Sequence, residues 1–598
     1  MNMKTIIKNM LLSSIMLAAT SCTDFLDRQP LDEISNDSFW NTEEDMRVYN
    51  NRLYNMAADC GKTGIMIAHG LTRGYITSYL FLEQMSDNLA PTNSRTSFFV
   101  DIKRGKRTVP VKPENFDYQG WNFLREINFG LENYNRVPIS DEIKNKYIAE
   151  ARLFRGWFYA VKVQRYGDVQ WVDKPLNIDS EELYETRNSR MEVMDKVLDD
   201  LNFATKYLPN DWKDGNAPGR LNRWCALLIK SRLCLFEGTY RKYHQLSDYE
   251  RWIKEAKDAA YLVITESPYG VYKTSDPANE DYAWLHRQID LTGNPEIMYW
   301  ARYTYGINSN NVMRYFANYN GGATRSFVES FLCTDGLPIS LSPLYRGDAQ
   351  IEDVFKNRDP RLRQSILHPA DKEMRGYDRD DVLPYPRLLG MVGGQISTTG
   401  YHVVKPYNMD IMRGKSVNQL ENAGVILRYG EALLNYAEAV AEYANIEPIK
   451  QSDLDISINL LRDRVGMPRM VLDEIPVDPA AAEDGVSPLI YEIRRERRVE
   501  LFCEGFRYDD LMRWKLGRKL VEPALGILWD EKAKQRYEGA RLVKTSADPV
   551  TGKEYVDAYK GTQWENGKFD EERDYLWPIP ISILTENPEV GQNPKWGE

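Results

Sequence analysis

Between Tyr282 and Tyr319 the chain carries Tyr282, Trp284, His286, Tyr299, Trp300, Tyr303, Tyr305, Tyr315, Phe316 and Tyr319, with Asn308, Asn310, Asn311 and Asn318 among them. A flat ring packs against the apolar C–H face of a sugar, and an amide beside it reaches the hydroxyl edge. The pattern suits capture of a carbohydrate. The competing use of each ring is core packing, since large aromatics are mostly well buried. The ligand candidates here are Trp284, Tyr303, Tyr305, Tyr315 and Tyr319. A second group, Tyr79, Phe98 and Phe99, lies between Tyr75 and Tyr118. Phe98 to Val109 reads as a hairpin turning at Arg104-Gly105. Lys103, Arg104, Lys106 and Arg107 then cluster at its tip, as a contact for an acidic ligand or as a solvated turn.

Catalytic patterns are missing. The chain has no HExxH, no G-x-S-x-G and no paired-cysteine metal spacing. Gly61-Lys62-Thr63 and Gly414-Lys415-Ser416 mimic the end of a phosphate-binding loop, but Met56 and Met409 stand where its first glycine is required. The five histidines form no ligand set. No cofactor or metal is expected. Carboxylate pairs suited to glycoside hydrolysis exist by number alone among 88 acidic residues, so a glycosidase stays as an alternative.

The elements that must hold these residues are mostly helical. Lys144–Tyr166 sets Ile148, Phe154, Trp157, Phe158, Val161 and Val163 on one stripe and ends at Gly167-Asp168. Met191–Leu208, Asn222–Phe236, Tyr249–Thr265, Val425–Tyr443 and Ile456–Arg464 continue the pattern. Helices paired in this way predict tetratricopeptide-like hairpins stacked into a superhelix. The predicted fold is mainly α, with helical scaffold over about 22–60, 122–269 and 425–520. Long irregular insertions at about 61–121 and 270–424 would face the ligand. In Ile493–Trp514 (IRRERRVELFCEGFRYDDLMRW) arginines and glutamates fall three and four residues apart, which predicts a salt-bridged structural helix.

The N-terminus reads as a secretion signal. Lys4 and Lys8 precede the short apolar run Met10–Ala19, and Ala19-Thr20-Ser21-Cys22 follows. Residues 1–21 would be removed and Cys22 acylated, which anchors the chain to a membrane. Loss of Lys4 and Lys8 leaves 75 basic against 88 acidic residues, a net charge near −13. That speaks against nucleic acid as the main partner. Cys22 apart, five cysteines remain, an odd number. Cys225 and Cys234 on one helix stand about 14 Å apart, beyond disulfide reach. Most of the five read as buried thiols.

Ordered blocks over nearly the whole chain resemble the SusD/RagB family. Ile493–Trp514 is similar to its C-terminal signature. Cys22-Thr23-Asp24-Phe25-Leu26-Asp27 with Pro30 resembles its opening, and Glu150–Gly156 through Tyr166-Gly167-Asp168-Val169 an "EAKFLRA…FGDVP" block, with Gln170 where proline is usual. Gly219-Arg220-Leu221-Asn222, Asp335-Gly336-Leu337-Pro338, Asn357–Leu362, Thr399-Gly400-Tyr401 and Arg428–Ala439 follow in order. Leu576-Trp577-Pro578-Ile579-Pro580, Asn587-Pro588 and Gln592-Asn593-Pro594 close the series, with Lys595 replacing a glycine. The resemblance implies one domain over 22–598 and a non-enzymatic receptor lipid-anchored at the cell surface. Such a receptor lies over a SusC-like TonB-dependent transporter in the outer membrane and delivers oligosaccharide to it. Some members bind peptide instead, which keeps a RagB-type peptide receptor as an alternative. The blocks resemble scaffold. Arg358 and Arg361 would hold the irregular segment to the helices, Asp335-Gly336 would form a turn, and Tyr299 and Trp300, beside the block at Asn294–Ile297, would be structural. The Lys103–Arg107 cluster gains a second use as a docking point on the transporter.

Overall fold

The computed structural model describes residues 39–67, 82–92, 97–114, 117–215, 219–275, 281–313, 321–371, 386–392, 396–412, 415 and 419–597. The signal at 1–21, Cys22, Tyr79, Tyr315 and Tyr319 lie outside them. The scaffold is built from α1 (Glu43–Ala57), α2 (Trp121–Asn133), α3 (Asp141–Tyr166), α4 (Arg190–Tyr207), α5 (Arg223–Tyr243), α6 (Tyr249–Glu266), α7 (Tyr429–Glu442), α8 (Ile458–Arg464), α9 (Pro488–Glu500) and α10 (Arg507–Arg513). Consecutive helices pack as pairs, α3 on α4, α5 on α6 and α6 on α7, as a helical-hairpin superhelix requires, while α9 packs on α7 and α10 returns to α5. One apolar core runs through it from Trp40 to Val590.

Local chemistry sets these elements. Thr42 caps α1 with Asp45 in a capping box, Ser189 accepts from Glu192 N at the start of α4, and Asn222 from Cys225 N at the start of α5. Gly238 sits where α5 crosses α6. A Cβ there would stand 2.7 Å from Ile253 Cγ1 and 2.8 Å from Ile253 N, so only glycine permits the approach. Arginine–carboxylate pairs then clamp the helices: Arg152 and Arg155 of α3 to Asp200 of α4 at 2.6 and 2.7 Å, Arg190 of α4 to Glu237 of α5 at 2.5 Å, and Arg232 of α5 to Glu431 of α7 at 2.6 Å.

Two expectations fail along the chain. Residues 425–428 are not helix. Gly424–Arg428 is β2, antiparallel to β1 (Ile297–Ala301), and α7 starts only at Tyr429. Pairing with β1 takes up the backbone of this segment and leaves Val425 and Leu427 buried. Nor do 98–109 form a hairpin. Ser97–Lys103 is a helix that buries Phe99, Val100, Ile102 and Lys103, and Gly105 ends it at φ +63. A three-stranded sheet, β3 (Leu525–Leu528), β5 (Glu554–Asp557) and β4 (Thr545–Ala547) in that order, lies near the C-terminus.

The arginines and glutamates of Ile493–Trp514 also find different partners from those expected. Of the pairs inside the segment only Arg513–Asp510 and Arg497–Asp510 form, Arg495 pairs with Glu492 just before it, and most of its charges reach far along the chain. Glu500 accepts from Arg464 at 2.6 Å, Arg428 at 2.8 Å and Arg361 at 3.0 Å. Glu504 accepts from Arg428 and Lys405, both at 2.7 Å. Glu496 takes Arg361 and Arg462, Glu296 takes Arg428 and Arg464, and Asp359 takes Arg361. Five carboxylates thus face five cations, all buried, with no net charge left over. Arg358, beside them, donates to Val328 O, Phe331 O and Val354 O. Two segments of the irregular stretch, at 296 and 358–361, are thereby fixed to α8 and α9.

Burial opposes ionisation of Glu500, but Arg464, Arg428 and Arg361 outweigh it and hold its pKa well below the usual range. Glu504 is held down against burial by Arg428 and Lys405, and Glu438 is brought to about 2 against burial by Arg513 and Arg497. A depressed carboxylate stabilises the fold above its unfolded value, near 4.5, and loses that contribution as pH falls through its folded value. The thermal midpoint should therefore fall steeply as pH is lowered from 4.5 to 2, as followed by circular dichroism. Glu83, which burial pushes up to about 7, acts with the opposite sign between 4.5 and 7. Arg428→Met removes the cation shared by Glu296, Glu500 and Glu504. It should cost about 3–5 kcal/mol in urea unfolding at pH 7, little changed by added salt because the pairs are buried.

Candidate functional site

The short helix Asp281–Trp284 shows how one ring is buried and another exposed. Tyr282 is enclosed and donates to Val499 O and Glu500 O, both at 3.0 Å. Ala283 N donates to Gln364 Oε1 at 3.0 Å, and Arg287 to Lys405 O at 3.1 Å and Val404 O at 3.2 Å. His286 lies 3.5 Å from Glu504, with burial lowering its pKa to about 4 so that it is neutral near pH 7. These ties fix the backbone, and Trp284 remains 39% exposed.

Tyr305, 55% exposed, is held by a different device. β1 leads into a turn in which Thr304 and Asn308 exchange backbone hydrogen bonds at 2.7 and 3.0 Å, with Gly306 at φ +86. The antiparallel partner of β1 brings residues 419–423 alongside. Glu421 accepts from Tyr305 N at 3.0 Å, Gln419 donates to the Tyr305 hydroxyl at 3.3 Å, and Lys415 Nζ stands 5.8 Å from the ring centre. Ala423 N donates to Gln288 O at 2.8 Å, and Gln288 donates to Trp284 O. Arg302 and Asp290 approach to 3.9 Å across the same strip. One backbone segment, 419–423, therefore links the Trp284 helix to the Tyr305 turn. The exposed strip carries two rings, Ile289 and Ile307, and side-chain amides. Its charges oppose each other in pairs, Arg302 with Asp290 and Lys415 with Glu421 at 3.5 Å.

The other candidates are placed elsewhere. Tyr303, 6% exposed, is a core residue, because it precedes the turn and points inward where Tyr305 points out. Phe99 is fully buried, and Phe98 packs edge-on against Phe99 and Trp577 under Arg107. Neither offers a free face. Tyr299 and Trp300 lie buried on β1. Asn310 is buried and ties Asn422 O, so it is scaffold. The basic cluster dissolves. Lys103 is buried with its ammonium donating to Ser86 O and Leu89 O, Arg104 donates to Trp564 O and Glu565 O, and Arg107 pairs with Asp117 over Trp577. Only Lys106 of the four is exposed, which removes the acidic-ligand contact. Gln419, Glu421 and Lys415 were missed, because their role depends on the pairing of β1 with β2.

Among the described residues no group of three or more His, Cys, Asp or Glu is placed to hold a metal, and Cys60, Cys225, Cys234, Cys333 and Cys503 are buried free thiols. Nor is any helix among them long and apolar enough to cross a membrane.

The model of the SusD family matches residues 288–596, just over half of the chain. The chain belongs to the SusD family. A second family model, described as starch-binding associating with outer membrane, matches residues 24–235. SusD-like protein P2 of Formosa agariphila is 21% identical over 515 residues, covering 85% of this chain and 91% of that one. The crystal structure of a SusD-like carbohydrate-binding protein from Bacteroides fragilis superposes with a TM-score of 0.70 at 21% identity, over 92% of this chain and 99% of that one. A laminarin-binding SusD-like protein superposes with a TM-score of 0.57 at 18% identity, over 93% of this chain and all of that one. These likenesses show that the SusD fold is shared.

The placements predict a split in stability. Trp284→Ala and Tyr305→Ala should each change unfolding free energy by less than about 0.5 kcal/mol. Phe99→Ala should cost about 3–5 kcal/mol. Chemical denaturation of the three variants checks this.

Proposed function

We propose that this SusD-family protein is a surface receptor that captures a neutral oligosaccharide on the Trp284–Tyr305 strip and passes it to a SusC-like TonB-dependent transporter. In this reading Cys22 is acylated once residues 1–21 are removed. The lipid holds residues 22–598, as one domain, on the outside of the outer membrane. The protein carries no catalytic step. The observation that carries the reading is the strip itself, two exposed rings beside amides on a backbone fixed from behind. Aromatic planes with amides at their edges fit the C–H faces and hydroxyls of sugar rings. Pre-fixed rings lose little entropy when ligand binds. The pairing of Arg302 with Asp290 and of Lys415 with Glu421 leaves no net charge to attract an acidic glycan. Supporting the reading are the family's starch-binding description and the solved laminarin-binding relative.

Native affinity electrophoresis of the soluble form starting at Thr23, through gels holding neutral or acidic polysaccharides, tests it. A neutral polymer should retard the wild type, and Trp284→Ala/Tyr305→Ala should weaken that retardation about tenfold or more, two stacked rings each contributing about 0.5–1.5 kcal/mol. Unchanged retardation of the double variant would sink the site. Binding of peptides with no polymer retarded would favour the RagB-type receptor, and release of reducing sugar would favour a glycosidase.

A further inference from the structure

A cleft of about 520 Å³ opens on the helical scaffold, lined by residues of three chain segments. One wall is the first half of α2, where Trp121, Leu124, Arg125 and Asn128 share a face. The second is the connection after α3, from Gln170 to Tyr184. The third is the C-terminal stretch Ile583–Val590. The walls are tied to one another by side chains that reach backbone carbonyls. Asn128 donates to Val172 O at 2.9 Å, Arg125 to Leu176 O at 3.2 Å, and Asn587 to Leu183 O and Glu185 O, both at 3.0 Å. Trp121 is gripped by Tyr118 at 5.1 Å and Phe158 at 5.7 Å between ring centres. The cavity is thus preformed.

We infer that this cleft is a second saccharide site, with a neutral sugar ring seated between Trp121 and Tyr184; the inference rests on the carbohydrate-binding reading above. Its volume falls in the range of small-molecule sites, about 300–1,000 Å³. Tyr184 is 60% exposed at the mouth, a ring that the fold itself does not use. Tyr118 also lines the cleft and backs the Trp121 ring. The charged side chains in the lining are Arg125 and Lys174 against Glu182 and Glu586, and Lys174 pairs with Glu182. Two against two leaves no field to hold a phosphate or a uronic acid. An acyl chain would leave the lining amides of Asn122 and Gln170 facing hydrocarbon. A ring that is apolar on its face and hydroxylated at its edge meets both demands.

Isothermal titration of the soluble chain with maltohexaose and with laminarihexaose, both neutral glucans, tests the inference. The wild type should bind one of them at two sites per chain. Tyr184→Ala changes an exposed residue, so the fold should persist, and one of the two sites should weaken about three- to tenfold. Trp284→Ala/Tyr305→Ala should weaken the other about tenfold or more. One site in the wild type, or a Tyr184→Ala variant that titrates as the wild type does, overturns the second site and leaves the first standing. No heat with either sugar overturns the neutral-glucan assignment of both.

Discussion

Glu500 is the counter-charge for Arg361, Arg428 and Arg464 at once, and these three come from segments up to 139 residues away. A single carboxylate can satisfy three guanidiniums only where each approaches along its own direction. The chain must bring the 358–361 segment, the end of β2 and α8 to one point on α9. Any one cation left unpaired in that volume would cost several kcal/mol, since charge excluded from water must be met by charge. The constraint is shared by the neighbouring Glu296, Glu496 and Glu504. It explains why a stretch with little regular secondary structure is nonetheless fixed. Its anchors are ion pairs, and its remaining polar ties reach backbone carbonyls and side-chain oxygens alike.

The exposed strip depends on that anchoring. Tyr282 donates to the carbonyl of Glu500 itself, and His286 sits beside Glu504, so the backbone that presents Trp284 is fastened to the ion cluster. β2, which ends at Arg428, sets the 419–423 segment against the Tyr305 turn from the same place. The scaffold and the exposed strip are thus parts of one arrangement. The rings are exposed because their neighbours two or three residues away are the ones that pay the cost of anchoring.

Periodicity made α3 to α6 legible, since the apolar stripes of those helices are long and their caps local. It misled where tertiary pairing competes. Val425-Ile426-Leu427 continues the helical stripe of α7, and only a strand from residues 297–301, absent from any local window, makes it β2. The arginine-rich segment was read correctly as structural but not as one helix, since it breaks between α9 and α10 where Cys503 and Gly505 turn left-handed, and spacing along a helix cannot reveal partners on other elements. Ring composition pointed to the 282–319 stretch. Which rings face outward was not legible, because Tyr303 and Tyr305 differ only by the turn that follows β1. The basic run at 103–107 failed for a related reason. Burial with backbone carbonyls as acceptors leaves no mark in the sequence that distinguishes it from a solvated turn.

The long reach of these contacts bears on the moment at which the chain can fold. Arg104 is completed by carbonyls 416 to 461 residues further on, and Arg361, Arg428 and Arg464 wait for Glu500. A nascent chain that has emerged only as far as α7 carries Arg361 and Arg428 with their pairing incomplete and a core with no C-terminal wall. It has little to gain by collapsing early. A native state that only the last hundred residues can close delays folding until synthesis is nearly complete.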